Sequence, residues 1–284
     1  MKYLRNESLK KHTTFKIGGT ADYFCVPRGV EELQEAIEFA EEHDLEIAVM
    51  GGGSNLLVLD RGFRGLVIKL AGGMNGIRID GSTVRVGAGA MLSRLTNLGG
   101  LEFLAGIPGT VGGAVVMNAG AWGKEIAPYV KEVILIGRKG RKKVLSRKEL
   151  GFKYRGSRLQ NGKWIVAEVL LKLNKRDKNK IKEEIKHYLT ARKIAQPLGI
   201  PNCGSVFRNP PGKFAGKLIE NAGCKGMRYG DAQVSEKHAN FIVNLGDAKA
   251  RDVIRLITAV QKAVKSRFHI ALEPELKIMV KSPL

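Results

Sequence analysis

The 284-residue chain has little of several residue types that would announce a function class. Cysteine occurs three times, at Cys25, Cys203 and Cys224, an odd number without C-x-x-C spacing. Neither a disulfide framework nor a thiolate zinc site has its residues, and no other metal-ligand set presents itself. Aromatic residues make up only 6% of the chain and form no aromatic-plus-basic cluster, which argues against nucleic acid as a partner. No apolar run approaches the roughly 18 residues of a membrane span. The basic start, MKYLRNESLKKH, never becomes the apolar core of a secretory signal, so a cytoplasmic protein without a membrane partner is expected. Acids are scarce as well: 27 Asp plus Glu against 48 Lys plus Arg leave a formal charge of +21. Such a field gathers anions, and phosphorylated small molecules satisfy it as well as nucleic acid does.

Periodicity divides the chain in two. A strand ends at Pro27, and the segment 30–44 places Val30, Leu33, Ile37 and Ala40 on one helical face. Strands are expected at 46–50, 56–60 and 65–70, and an alternating one at 83–89. A small-residue stretch fills 104–123, followed by strands at 131–137, 143–147 and 164–173. Near residue 174 the run NKRDKNK reads as a linker or a helix entrance. Beyond it, a basic helix sets Ile181, Ile185, Tyr188 and Leu189 on one face. A late helix carries Val253, Leu256, Ile257, Val260 and Val264, with Asp247 as its expected N-cap. A strand at 276–280 closes an α+β pattern, with a glycine-rich domain first and a smaller domain second.

Glycine is what the chain has in excess, 35 residues of 284, and it clusters. Gly51, Gly52, Gly53, Ser54 and Asn55 directly follow a strand. A Rossmann phosphate loop must open a helix, and the segment beginning at Leu56 is strand-like, so that reading fails. A loop without side chains lets its amides nest around an anion, with Ser54 and Asn55 as further donors. A turn rich in turn-forming residues explains it equally well. A second cluster shifts the balance. Pro108, Gly109 and Thr110 form a turn feeding a short helix, with Gly112, Gly113 and Ala114 on its first turn, where N–H groups and dipole favour phosphate. Glycines there cost about 1 kcal/mol each in helix propensity, which either a ligand or close packing of helix on sheet would explain. Asn118 and Gly120 extend the small-residue surface. Two such loops in a basic field point to a cofactor bearing a pyrophosphate.

Seven motifs then stand in order: HTTFKIGG (12–19), VMGGGSNLL (49–57), GIPGTVGGAVVMNAGAWG (106–123), YRGSRL (154–159), GSVFRNP (204–210), GDAQVSEKHANFIVN (230–244) and LEPELKIM (272–279). Together they resemble the UDP-N-acetylenolpyruvoylglucosamine reductases, the MurB family of peptidoglycan synthesis, over nearly the whole chain. The resemblance implies an FAD-binding domain of the vanillyl-alcohol-oxidase/p-cresol-methylhydroxylase type over 1–174, in lobes of about 1–68 and 69–174. It implies a smaller α+β substrate domain over 175–284, whose last strand, about 272–280, returns to the active site. The cofactors implied are FAD and NADPH, and the partner is a nucleotide sugar bound by a monomer. In the family reaction NADPH reduces FAD, hydride passes to the enolpyruvyl β-carbon, and protonation of the α-carbon gives UDP-N-acetylmuramate.

Site roles follow from the same resemblance. Arg155 is the fork for a carboxylate or enolate. Ser205 is the proton donor to the α-carbon. Glu275, rather than Glu273, is the partner of Arg155. Asn209 and Gln233 correspond to substrate contacts. Apart from the resemblance, Lys217 and Arg228 are nearby cations available to the diphosphate, and Lys16 is read as facing the flavin side. Without the resemblance, Arg155 and Glu275 read as surface charge, Ser205 as a turn residue, and His12 and His238 as structural. The interval from Arg155 to Ser205 has no room for the tyrosine-bearing insertion of some members, so the chain is of the shorter subtype. A flavin oxidoreductase of the same fold with another substrate is the alternative, and a nucleic-acid-binding protein the more distant one.

Overall fold

The computed structural model describes residues 1–279; Val280, expected in the last strand, lies outside them. The chain begins with β1 (Leu4–Ser8), β2 (Thr20–Cys25), α1 (Val30–Glu42), β3 (Ile47–Met50), β4 (Leu56–Val58) and β5 (Phe63–Lys69). Four of these strands form a sheet in the order β1-β2-β5-β3, in which β5 runs parallel to both β2 and β3. Helix α1 connects β2 to β3 and buries Leu33, Ala36, Ile37 and Ala40, an apolar stripe at helical spacing.

Next come β6 (Ile77–Asp80), β7 (Thr83–Gly87), α2 (Val111–Met117), the small hairpin β8 (Gly120–Ala121) and β9 (Lys124–Glu125), then β10 (Val130–Ile136), β11 (Lys142–Ser146) and β12 (Ile165–Lys172). An antiparallel sheet in the order β11-β10-β12-β7-β6 results. One apolar core joins the two sheets, from Leu33 and Ile68 through Val86 and Val111 to Leu135 and Val169.

Helix α3 (Lys178–Ala195) starts at Asp177, whose carboxylate accepts from the Asn179 and Lys180 amides at 3.0 Å, so the charged run is a helix entrance. Its Tyr188 belongs to the first core. Leu189, expected on the same face, is 45% exposed. Arg192 takes the inward place instead, because it stands one turn after Tyr188 and Leu189 is rotated past the contact.

The remainder comprises β13 (Asn202–Ser205), α4 (Ala215–Asn221), β14 (Arg228–Tyr229), β15 (Ala232–Val234), β16 (Phe241–Asn244), α5 (Ala250–Phe268) and β17 (Lys277–Met279). The sheet β13-β16-β15-β14 is antiparallel, and α5 buries the whole expected stripe from Val253 to Val264. Each such aliphatic side chain contributes roughly 1.5–3 kcal/mol on burial. Asp247 is not the cap of α5. The Ala250 and Arg251 amides donate to Asp60 at 2.8 and 3.1 Å, while Asp247 pairs with Lys10 and Lys249. The folded chain brings the cap from far away in sequence, so local spacing could not reveal it.

β17 does not extend the third sheet. It lies parallel to β4, with Ile278 opposite Leu57, and Met279 enters the core of Leu9, Phe24 and Val58. Phe15, Ile17 and Leu57 reciprocate by entering the core under α5. Among the described residues, no helix is long and apolar enough to cross a membrane.

Candidate active site

The two glycine loops meet face to face. A Cβ on Gly51 would lie 2.3 Å from Thr110 Oγ1, and one on Gly52 would lie 3.3 Å from Gly109 Cα. Gly53 adopts φ +66, with the His12 carbonyl oxygen 2.2 Å from where its Cβ would be. The opposing loop thus excludes side chains at Gly51 and crowds them at Gly52, and the left-handed backbone requires glycine at 53. Ser54 Oγ donates to the Pro108 carbonyl at 2.9 Å and ties the loops together. Among the described residues, no protein group accepts from the amides of Gly52, Gly53 or Ser54. Three consecutive unengaged donors beside a side-chain-free wall suit the pyrophosphate of FAD.

The first turn of α2 departs from expectation. The Val111, Gly112 and Gly113 amides donate to Ala90 O, Ala88 O and Thr110 Oγ1 at 2.9, 2.9 and 3.4 Å, so they are engaged within the protein. Gly112 answers to packing, since its Cβ would lie 2.8 Å from that of Ala88. Ala114 is buried behind it. Asn118 is the left-handed cap ending α2, and its side chain holds Glu125, Lys153 O and the Ala127 amide. Gly120 permits the β8–β9 hairpin, where a Cβ would lie 2.1 Å from Lys124 O. Asn55 Nδ2, expected to face a ligand, donates instead to Glu275 O at 3.3 Å, and Asn55 O accepts from Lys277 N at 3.0 Å. The loop that offers bare amides therefore also grips the segment carrying Glu275.

Arg155 sits in a turn closed by mutual backbone bonds between Lys153 and Gly156, at φ +52. Its Nε lies 3.1 Å from Glu275 Oε1, and its guanidinium carbon lies 5.1 Å from the centre of the Tyr154 ring. The rival Arg158 is directed away, donating to Glu149 O at 3.3 Å. Glu275 N donates to Val206 O at 2.7 Å and Arg208 N to Glu273 O at 2.9 Å, which lays 206–208 antiparallel to 273–275 just after Ser205. Glu273 points out, its side chain 75% exposed. Arg155, Ser205 and Glu275 line one cleft of about 580 Å³, together with Asn209 and Lys217. Burial raises the pKa of Glu275 above the ordinary carboxylate range, against the opposing pull of Arg155 and Arg208. The cleft thus holds a hydroxyl, a guanidinium fork and a carboxyl biased towards its protonated form.

Gln233 and Arg228 are not part of that cleft. They face each other across the β14–β15 hairpin, where Arg228 is engaged by Asp231 at 2.7 Å and Gln233 by Gly226 O at 3.3 Å. Lys16 lines a separate cleft with Lys10, Asp60 and Asp247, away from the glycine loops. Lys237 and His238 line the cleft instead. Burial lowers the pKa of His238, which favours the neutral ring. The loop SEKHAN just before β16 was the signal available for them. Tyr154 and Phe214, 47% and 71% exposed, add an aromatic wall to the cleft.

Unengaged amides on a side-chain-free wall and a cleft that holds a guanidinium, a hydroxyl and a carboxyl are the equipment of a flavin-dependent oxidoreductase, and residues 21–144 match the FAD binding domain. Residues 196–279 match the C-terminal domain of UDP-N-acetylenolpyruvoylglucosamine reductase. The UDP-N-acetylenolpyruvoylglucosamine reductase 2 of Symbiobacterium thermophilum is 50% identical over 98% of this chain and 92% of its own length. The reductase of Desulforamulus reducens is 48% identical over 96% and 92%. The crystal structure of the reductase (MurB) from Thermus caldophilus superposes with a TM-score of 0.83 at 40% identity, covering 98% of both chains. The chain belongs to the UDP-N-acetylenolpyruvoylglucosamine reductase family.

Proposed function

We propose that this chain reduces UDP-N-acetylenolpyruvoylglucosamine to UDP-N-acetylmuramate in peptidoglycan synthesis, with Arg155, Ser205 and Glu275 acting on the enolpyruvyl group. Bound FAD, reduced by NADPH, supplies the hydride. The bare amides of Gly52, Gly53 and Ser54, on the wall formed with Gly51, Gly109 and Thr110, would hold its pyrophosphate. Arg155 binds the substrate carboxylate and stabilises the negative charge that grows on it as hydride reaches the β-carbon. Glu275, biased towards its protonated form by burial, stands beside that charge. Ser205 gives its hydroxyl proton to the α-carbon and regains one from solvent, completing addition of a hydride and a proton. Lys217 and Lys237 suit the diphosphate, Asn209 a neighbouring polar group, and the Phe214 ring the base.

Residues 1–174 form the FAD-binding domain in lobes of about 1–68 and 69–174, and 175–284 form the substrate domain, with α3 bridging the two. Both NADPH and nucleotide sugars are cytoplasmic metabolites, so the reaction belongs there.

The observation that carries this reading is the Arg155–Glu275 pair, 3.1 Å apart in the cleft that Ser205 also lines. Ser205→Ala tests it by stopped flow. Flavin reduction by NADPH stays near the parent rate, while reoxidation by the enolpyruvyl substrate slows about 10²- to 10⁴-fold. Equal losses in both half-reactions would remove Ser205 from the protonation step.

A further inference from the structure

We propose that Arg208 is a positioning residue for Arg155, holding the backbone carbonyl of the catalytic arginine from the segment that follows β13. The inference rests on the role given to Arg155 above. Arg155 is not glycine, yet it stands at φ +52, a conformation unfavourable for an L-residue that persists only where its surroundings impose it. Two side chains converge on its carbonyl oxygen. Gln160, in the single 3-10 turn Arg158–Asn161, donates from Nε2 at 3.0 Å, and Arg208 donates from Nη2 at 3.3 Å.

Arg208 is itself held in place. Its amide donates to Glu273 O at 2.9 Å, and its Nη1 lies 3.6 Å from Glu273 Oε2. Its Nε is buried without a hydrogen-bond partner, the single such side-chain atom among the described residues. Leaving a buried donor unmet is unfavourable, so the guanidinium is oriented for Arg155 and Glu273 at the expense of its own Nε. The contact spans the two parts of the site, since Arg155 and Gln160 precede β12 while Arg208 follows β13. Arg208 also adds its charge to that of Arg155 and Lys277 around Glu275, with the Cys203 thiol close by and Glu273 on the solvent side.

The test is a double-mutant cycle on the flavin-loaded enzyme, read as single-turnover reoxidation by UDP-N-acetylenolpyruvoylglucosamine. Arg208→Met slows reoxidation about 10- to 100-fold, the scale of a 1 Å misplacement, and leaves flavin reduction by NADPH unchanged. In an Arg155→Ala background the same substitution changes the rate by no more than about twofold, because nothing remains to be positioned. Arg208→Lys, which keeps the charge and one donor, recovers most of the loss. Gln160→Ala, acting on the same carbonyl, slows the same half-reaction. The alkaline limb of the reoxidation profile, along which Glu275 loses its proton, moves to higher pH in Arg208→Met, as one cation beside Glu275 is lost, and stays in place in Gln160→Ala. Undiminished reoxidation in Arg208→Met, or a full loss in both backgrounds, overturns the proposal, the second outcome making Arg208 a contact in its own right. Parent-like reoxidation in Arg155→Ala alone overturns instead the reading on which it rests.

Discussion

Gly53→Ala probes the cradle where its geometry is tightest. The residue stands at φ +66, and a methyl there would meet His12 O at 2.2 Å and Thr13 Cα at 2.8 Å. Left-handed backbone costs an alanine roughly 1–2 kcal/mol. A clash with backbone cannot be relieved by rotating a side chain, and overpacking of this kind costs about 1–3 kcal/mol. The expected destabilisation is therefore about 2–5 kcal/mol. Gly81, in the turn between β6 and β7, separates the two contributions: it has φ +55 and nothing within 4 Å of its missing Cβ. Gly81→Ala should lose only the conformational part, about 1–2 kcal/mol. Thermal melts of both variants beside the parent provide the assay, at roughly 2–4 °C per kcal/mol. Gly53→Ala should melt about 4 °C or more below the parent, below Gly81→Ala, and retain less flavin as the loop shifts. Coincident melts with undiminished flavin would mean that close approach to His12 is not what glycine at 53 serves.

Two further outcomes follow from the charged groups. Burial raises the pKa of Glu275, so the folded state holds a proton that the unfolded chain releases, and stability falls as pH rises from the ordinary carboxylate value through the raised one. Glu275→Gln should therefore melt above the parent near pH 8 and show no gain near pH 4, even as turnover falls; an equal gain at both would exclude burial as the cause. Asp60→Ala removes the acceptor of two first-turn amides of α5 and should cost about 0.5–2 kcal/mol. Hydrogen exchange at Ala250 and Arg251 reports it directly, and unchanged protection there would contradict the cap.

Much of the fold was legible where the signal is local. The stripe of α5, the face of α1 and the alternation of β7 each reflect a period that one buried side imposes. Gly51–Gly53 declared a backbone approach because only glycine tolerates the opposing Thr110, the facing Gly109 backbone and the left-handed turn. Features that depend on distant segments were not legible. The parallel pairing of β17 with β4 and the capping of α5 by Asp60 join residues about 190 or more positions apart. Gly112 of α2 advertised a phosphate site but packs against Ala88, since close packing and ligand approach demand the same glycine. A tight hairpin sets Gln233 and Arg228 opposite each other outside the cleft lining, while Lys237 and His238 reach the cleft from a loop whose direction only the fold determines.

The most direct measurement is the visible spectrum of the purified protein under anaerobic conditions, taken before and after NADPH and again after UDP-N-acetylenolpyruvoylglucosamine. A yellow protein bleached by NADPH, whose colour returns with one equivalent of substrate, is the expected result. A colourless chain that takes up no FAD, or a reduced flavin that the substrate fails to reoxidise, would contradict it.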